Sequence, residues 1–374
     1  MNAHVSFPHQ GRSIREKYSE GLVELDRPPT RLKMSYSTDH RAKKRRMNEE
    51  ADDGPNTFKP CARFVPTGGR EYTVSIAVPG SIITDFKTAD QRITSPGRIA
   101  RALAVFGVDE IVVYDDSPLD SRPRAVDRDR YTGDTDPCHF IAHVLSYLET
   151  PPFMRKALFP LHDNLAKAGL LPSLDMPHHP HKDEWLPYRE GFTLKGRPES
   201  GTGTMVEVGM RKPVTVAEQI PPNTRVTLHF PEQSLNNPEP VHPQTPRTEA
   251  GYYWGYNVRS ATSLSAVFTE SQFEGGYDIS IGTSERGVPA SKAFPTFKKP
   301  TFNHLLIVFG GPRGLEYAAM NDGELGGMGI SGGRTRELFD HWVNVLPNQG
   351  SRTIRTDEAV FIGLTSLRSL WDNS

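Results

Sequence analysis

Apolar residues form short runs and helical stripes that alternate along the central and C-terminal parts of the chain. Residues 72–78 are apolar and rich in β-branched side chains, and a Pro-Gly pair follows, which predicts a buried strand. Residues 99–106 carry apolar side chains at helical spacing, a glycine ends that helix, and residues 110–114 predict a second strand. A strand, a helix and a strand in succession predict a parallel sheet.

The segment after the second strand is charged. Residues 116–136 are rich in Asp and Arg, which is typical of an exposed insertion. Residues 139–148 then follow a helical pattern that a Pro-Pro pair ends, and a shorter helix is predicted around residues 154–158.

The pattern changes to short alternating strands from about residue 186. Four such strands, each bounded by Gly or Pro, are predicted over residues 191–194, 204–208, 213–216 and 225–230. Because the α/β pattern resumes at Tyr252, residues 186–248 are interpreted as an inserted small β-barrel of the oligonucleotide-fold type, suited to RNA binding. The proline-rich residues 231–247 are interpreted as a return loop.

Three apolar strands near the C-terminus each run into a glycine-rich segment. In open α/β sheets ligands lie beyond the carboxyl ends of strands, where glycine lets the backbone approach them closely. One such turn can be a mere tight connection, but three in succession predict a ligand site. The three units are residues 277–281 with 282–287, residues 305–309 with 310–316, and residues 342–346 with 347–356, followed by an amphipathic helix over 357–370.

Composition limits the remaining possibilities. A chain of 374 residues is long enough for two domains, and its 32 Gly and 32 Pro predict many turns. The net charge of −1 means that any affinity for nucleic acid must come from a local patch. Two cysteines exclude a disulfide framework and a cysteine-based zinc site and fit a reducing interior. Without an apolar run of about 18 residues, neither a membrane-spanning nor a secreted protein is expected.

The N-terminal residues 1–68 are polar and lack apolar periodicity, which predicts a disordered tail. A basic cluster at residues 40–46 is followed at once by acidic residues. This cluster is either a solvated charge run or a nuclear-import signal, and the sequence leaves both open.

The glycine-rich segments closely resemble those of the eukaryotic SPOUT-domain RNA methyltransferases of the centromere protein 32 type. The third segment also resembles the conserved turn of bacterial ribosomal-RNA uridine-N3 methyltransferases. The likeness covers about residues 70–370. It rests on residues 281–287, 308–311 and 350–359, with support from residues 79–81, 174–179 and 251–256.

This resemblance implies an α/β fold whose parallel sheet, flanked by helices, holds a trefoil knot, formed by residues 69–185 and 249–374. It implies that S-adenosyl-L-methionine binds in a bent shape between the three segments and that a homodimer forms through the knot. The expected activity is methylation of RNA, ribosomal RNA in particular, with uridine N3 as the favoured acceptor. The expected location is the nucleus or nucleolus, with the cytoplasm left open as an additional location. A non-catalytic RNA-binding or chromosome- or spindle-associated scaffold is the alternative.

The resemblance also assigns the cofactor site. Backbone groups of the third segment would pair with the adenine edge, and glycines of the second would let the chain pass against the ribose and methionine. The predicted cofactor-binding residues are Gly282, Thr283, Ser284, Arg286, Phe309, Gly310, Gly311, Gly314, Glu316, Asn344, Val345, Pro347, Gln349, Gly350, Thr353 and Ile354.

Arg286 is the predicted catalytic residue. Uridine N3 belongs to a weakly acidic imide, and a guanidinium can stabilise the anion that develops there. The alternative is an ion pair of Arg286 with Glu285 or Glu316. Arg352 and Arg355 are predicted to contact RNA phosphate, with an ion pair to Glu358 as the alternative.

His178 and His179 are predicted to contact RNA or to pack inside the protein. Two adjacent histidines on a proline-bounded loop do not easily point at one ion, so no metal is expected. Aromatic residues at positions 252, 253, 254 and 256 can stack bases, but strand-like spacing favours a place in the core.

Overall fold

The computed structural model describes residues 66–122, 130–180, 184–196, 198, 201–231, 234, 236–295 and 300–372. The predicted tail, with its basic cluster, lies almost entirely outside these residues. All of these described residues belong to one compact unit. Its eleven described strands are β1 (Thr73–Pro79), β2 (Glu110–Tyr114), β3 (Tyr188–Thr193), β4 (Thr204–Glu207), β5 (Val214–Val216), β6 (Arg225–His229), β7 (Glu239–Val241), β8 (Asn257–Ala261), β9 (Ile279–Pro289), β10 (His304–Val308) and β11 (His341–Asn344).

Helices connect most of the strands of the main sheet. None of the described helices is both long and apolar enough to cross a membrane. The α-helices are α1 (Ala89–Phe106), α2 (Pro137–Glu149), α3 (Pro152–Leu158), α4 (Thr245–Thr248), α5 (Leu264–Thr269), α6 (Ala290–Ala293), α7 (Gly314–Met320), α8 (Gly323–Gly327) and α9 (Thr356–Leu367). Short 3₁₀ helices span Gly80–Ile83, Asp163–Leu165, Ala168–Leu170, Gly332–Leu338 and Arg368–Leu370.

The main sheet has six strands in the order β11-β9-β10-β1-β2-β8, and every neighbouring pair is parallel. All residues of β1 and β2 are buried, because helices cover both faces and leave no solvated side. Val74, Ile76 and Val78 face a core shared with α1, α2 and α9, while Ala77 faces a core shared with α5 and α7. The predicted parallel sheet flanked by helices is confirmed, and the knot stays a prediction.

The second sheet is antiparallel, with the order β5-β4-β3-β6-β7. Its four earlier strands lie close to the predicted positions, and Val206, Leu228 and Phe230 are buried in its own small core. The prediction of a return loop over residues 231–247 was wrong, since it contains β7 and most of α4. Pro240 is tolerated opposite Leu228 because β7 is an edge strand. The backbone groups on the outer side of an edge strand need no partner strand. Closure into a barrel remains a prediction.

Candidate functional site

The three strands that were predicted to end in a ligand site are neighbours in the sheet. Strand β9 lies between β10 and β11, and all three run in the same direction. Their carboxyl ends therefore meet at one edge, as the sequence predicted. The residues that follow β10 and β11 are called the second loop (309–314) and the third loop (345–355).

The predicted first loop, residues 282–287, lies within the bounds of β9, which continues to Pro289. Residues 283–287 nevertheless bulge out of the pairing with β11, because the consecutive residues Trp342 and Val343 pair with Gly282 and Val288. The pairing of β9 with β11 shifts register between Trp342 and Val343. A Cβ on Gly282 would lie 2.6 Å from the Trp342 ring, and one on Gly287 would lie 2.4 Å from the backbone of Val343. The two glycines thus let β9 approach β11 closely at either end of this bulge.

Side chains tie the three strand ends together. The hydroxyl of Thr283 donates to the carbonyl of Val308 at 3.0 Å, which joins β9 to β10. The side-chain amide of Asn344 donates to the carbonyl of Glu285 at 2.8 Å, which joins β11 to β9. These bonds give Thr283 and Asn344 a role in fixing the edge on which a ligand would lie. Within β9, the hydroxyl of Ser284 accepts from the backbone of Arg286 at 3.2 Å.

The second loop is packed tightly against its own chain. A Cβ on Gly310 would lie 2.9 Å from the Cα of Gly314, and one on Gly311 would lie 2.2 Å from the hydroxyl of Ser81. Gly314 has a φ of 78°, a backbone conformation that residues other than glycine rarely adopt. Phe309 is buried. Glycine is needed at these positions by the fold itself, whether or not a ligand binds.

The third loop is open. Pro347, Gly350 and Thr353 are exposed, and Gln349 and Ile354 are half-buried. A Cβ on Gly350 would meet no atom within 4 Å. The side from which a side chain would project is therefore free at Gly350, whereas it is filled at Gly310 and Gly311. Val345 is partly buried and packs against the main core.

Two of the arginines near this edge, Arg286 and Arg355, already have acidic partners. Arg286 is 73% exposed and its guanidinium lies 3.2 Å from Glu316. The ion pair considered as an alternative for Arg286 is thus present. Arg355 pairs with Glu358 at 3.3 Å, and its backbone N–H donates to the same carboxylate at 2.9 Å. That backbone hydrogen bond is the main cause that lowers the pKa of Glu358.

The predicted RNA contact of His178 does not fit its position. His178 is completely buried, and its Nε2 lies 3.0 Å from the carbonyl of Glu149 and 2.9 Å from its carboxylate. His179 also bonds to that carbonyl, at 2.6 Å. Burial lowers the pKa of His179 to about 3, so its ring is neutral at physiological pH. The packing alternative therefore describes His178. Among the described residues, there is no group of three or more His, Cys, Asp or Glu side chains that could hold a metal ion.

The aromatic side chains at positions 253, 254 and 256 also pack inside the protein. Tyr253 donates to the carbonyl of Val108 at 2.9 Å, and Tyr256 donates to that of Leu145 at 3.0 Å. Trp254 is nearly buried and donates to Glu190 at 2.7 Å. These contacts agree with a place in the core for the three side chains and not with stacking on bases.

Arg225 joins the second sheet to the main one. It contacts Glu149 of α2 at 2.6 Å and Glu190 of β3 at 2.6 Å, and both carboxylates are nearly buried. Burial alone would raise the pKa of Glu149, but the charge of Arg225 and the hydrogen bond from His178 outweigh it and hold the pKa below its usual range. The junction thus depends on one cation between two buried anions.

Asp116 is a site residue that the sequence analysis missed. It was placed in an exposed insertion with Asp136, yet the two are only 3% and 9% exposed. Asp116 ends up inside because it lies only two residues after the fully buried strand β2. Ser81 donates to it twice, from the hydroxyl at 2.6 Å and from the backbone at 3.1 Å. Its position after a buried strand was a signal that the sequence offered.

Known proteins are similar in sequence to most of this chain. Residues 73–367 match a family model described as "Putative RNA methyltransferase". The 28S rRNA (uridine-N(3))-methyltransferase of Homo sapiens is 43% identical over 305 residues, which cover 80% of this chain and 79% of that protein. The enzyme of the same description from Drosophila melanogaster is 41% identical over 307 residues, covering 79% and 62%.

A solved structure shows a much weaker likeness. The SpoU methyltransferase AviRb from Streptomyces viridochromogenes, in complex with AdoMet, aligns with 80% of this chain and 58% of its own. The sequence identity is 11% and the TM-score is 0.29, too low to carry a conclusion about this chain.

Proposed function

Because the chain belongs to this family of RNA methyltransferases, we propose that it methylates uridine N3 in large-subunit ribosomal RNA with S-adenosyl-L-methionine. The observation that carries the proposal is the meeting of β10, β9 and β11 at one sheet edge, with an open loop beside it. The relatives from Homo sapiens and Drosophila melanogaster bear the names of enzymes with this acceptor.

The third loop fits the cofactor best. Adenine presents a polar edge and two apolar faces, and a site for it needs accessible backbone groups beside apolar walls. Gly350 has open space around it, and Ile354 and Leu346 are half-buried nearby in the chain. When bound, the cofactor supplies a methyl group on a cationic sulfur. The second loop, whose glycines are already packed against their own chain, would contribute a rigid neighbouring segment to this site.

Arg286 can act on the acceptor. The imide at uridine N3 becomes an anion as its proton leaves, and a guanidinium can stabilise that charge through charge-assisted hydrogen bonds. Arg286 is mostly exposed, so it can exchange Glu316 for RNA at little energetic cost. Arg352 and Arg355 are exposed on the third loop and would contact RNA phosphates.

Replacement of Arg286 by alanine is expected to reduce turnover about 10- to 100-fold and to leave cofactor affinity within about threefold, as for a group needed in the transition state. Single-turnover methylation and calorimetric titration of S-adenosyl-L-methionine measure the two quantities. Arg334→Ala is the control, since Arg334 is likewise an exposed arginine in a surface ion pair, with Glu337, and lies outside the predicted site. Equal turnover in both variants would reduce Arg286 to a surface ion pair.

We propose that the second sheet binds RNA. Exposed basic residues lie in its turns, with Lys195 after β3 and the pair Arg211 and Lys212 between β4 and β5. Turns and strand faces of small β-domains are suited to single-stranded bases and their phosphates. Such a local patch supplies the affinity that a net charge of −1 does not.

Removal of both basic side chains in Arg211→Ala/Lys212→Ala should weaken RNA binding about tenfold at low salt. The slope of log affinity against log salt should fall by about one for each lost phosphate contact. Fluorescence anisotropy with a ribosomal RNA fragment measures both. Lys167→Ala, which removes an exposed lysine outside the second sheet, should leave the slope unchanged. An unchanged slope in the double variant would place the RNA elsewhere.

The remaining features of the resemblance belong to the same proposal. They are a trefoil knot in the main sheet, a homodimer that forms through it, and action on ribosomal RNA in the nucleus or nucleolus. Sedimentation of the full chain tests the dimer. The enzyme itself is tested by calorimetry, in which S-adenosyl-L-methionine should bind at one site per chain, and complete absence of binding would contradict the proposal.

A further inference from the structure

A second opening lies at the same edge of the main sheet. It is a cavity of about 350 Å³ beyond the carboxyl ends of β1 and β2, and the second loop forms one of its walls. Pockets for small ligands begin at about 300 Å³, so the space suits a nucleobase and its ribose. Among the lining residues are Ser81, Asp116, Ser117, Cys138, Arg313 and Tyr317.

The Asp116 carboxylate lies at the boundary between this cavity and the second loop. A Cβ on Gly311 would lie 3.3 Å from Asp116 Oδ2, so the carboxylate faces the backbone of the loop directly. The two hydrogen bonds from Ser81 fix the orientation of the carboxylate. Each carboxylate oxygen has two lone pairs, so Asp116 can accept a further hydrogen bond from a ligand.

The charge of the cavity selects the kind of group that enters it. The further carboxylates Asp85, Asp115, Asp134 and Asp136 line it, and a phosphate would be repelled by them. A neutral base with an N–H donor is accepted by such a lining. The exposed Arg313 lies over the Tyr317 ring at 4.7 Å and is the cationic group of the lining that a ribose phosphate can meet.

We propose that the acceptor uracil enters this cavity and that Asp116 is the base that removes its N3 proton. The inference rests on the proposed function, since it assigns the acceptor of that reaction. The N3 proton moves to a carboxylate oxygen of Asp116, and the N3 electron pair forms the bond to the methyl carbon. The carbon–sulfur bond breaks and its electron pair stays on sulfur, so charge and atoms balance.

The surroundings of Asp116 support a role as a base. Burial raises the pKa of Asp116, although the hydrogen bonds from Ser81 act in the opposite direction. A carboxylate with a raised pKa is a stronger base, closer to the weakly acidic imide from which it takes the proton. Ser81 therefore acts as a positioning residue that also tunes this basicity.

The test uses the full chain and, as substrate, ribosomal RNA from cells that lack this protein. Asp116→Asn keeps the shape of the side chain, and its amide can accept from the backbone N–H of Ser81 and donate to the Ser81 hydroxyl. Its single-turnover rate should fall at least about 100-fold, because an amide cannot take the proton. Cofactor affinity and RNA affinity should stay within about threefold. Asp340→Asn is the matched control, since Ser280 donates to Asp340 in the same way, from backbone and hydroxyl, at the amino end of the strands.

Ser81→Ala gives a readout that a purely structural role would not produce. It removes a hydrogen bond that lowers the pKa of Asp116, so that pKa rises further. The acid limb of the pH–rate profile should then move to higher pH. The acceptor site is located independently by photo-crosslinking of 4-thiouridine-substituted ribosomal RNA to the chain, with crosslinks expected on residues 312–317.

The outcomes separate the two proposals. Methylation by the native chain with an undiminished rate in Asp116→Asn overturns the inference and leaves the proposed function intact. Loss of cofactor binding in Asp116→Asn also overturns it, because the residue would then only clamp the sheet edge. A native chain that binds the cofactor and forms no N3-methyluridine contradicts the proposed function, and the inference falls with it.

Discussion

The substitution Gly350→Val is expected to weaken binding of S-adenosyl-L-methionine at least about 100-fold while the fold stays intact. A Cβ at this position meets no protein atom within 4 Å, so valine fits the free chain. The same side chain would occupy space that the proposal gives to the cofactor. A steric overlap that costs about 3 kcal/mol corresponds to this loss of affinity. Calorimetric titration measures the affinity, and thermal unfolding verifies the fold.

Gly333→Val is the matched control, because Gly333 is equally open and lies in the 3₁₀ helix that precedes the amino end of β11. It should bind the cofactor normally. Gly311→Val is less informative, since its side chain would collide with Ser81 and distort the second loop regardless of any ligand. Normal binding by Gly350→Val would remove the third loop from the cofactor site.

Arg225→Ala should lower the free energy of unfolding by about 3 kcal/mol. Removal of one partner of a buried ion pair leaves uncompensated charge, which costs about 3–5 kcal/mol. Here two carboxylates, Glu149 and Glu190, lose their cation. The lower end of the range applies because the Arg225 side chain is 33% exposed and water can partly replace it. Urea denaturation at pH 7 measures the difference.

Arg334→Ala serves as the comparison, because Arg334 pairs with Glu337 on the surface and both side chains are largely exposed. Its unfolding midpoint should barely change. The loss in Arg225→Ala should shrink below the unfolded pKa of Glu, about 4.3, since protonated carboxyl groups need no cation. Equal midpoints for Arg225→Ala and the native chain would contradict the account of the junction.

The sequence predicted the main sheet well because its strands are buried on both faces. Continuous apolar runs such as β1 and β2 have no solvated side to blur the pattern. The neighbouring positions of β9, β10 and β11 followed from a family resemblance and a rule about strand ends, and the structure places the strands as that rule requires.

The errors arose where tertiary contacts decide the role of a residue. Gly282 and Gly287 suggested a simple turn, but Gly282 also has to be small because the Trp342 ring packs on it. For His178 the sequence left an RNA contact and packing inside the protein open, and the structure buries it against Glu149. Asp116 lay in a charged stretch that suggested solvent, although the strand before it carries it inside. Local pattern cannot distinguish these cases, because the partners are distant in sequence.

Nucleoside mass spectrometry of large-subunit ribosomal RNA tests the central claim most directly. RNA from cells that lack this chain is incubated with the purified chain and S-adenosyl-L-methionine, then digested to nucleosides. The account predicts that N3-methyluridine appears, at about one per RNA molecule, with the native chain and not with Gly350→Val. Methylation of another nucleotide, or no methylation by a chain that binds the cofactor, would contradict it.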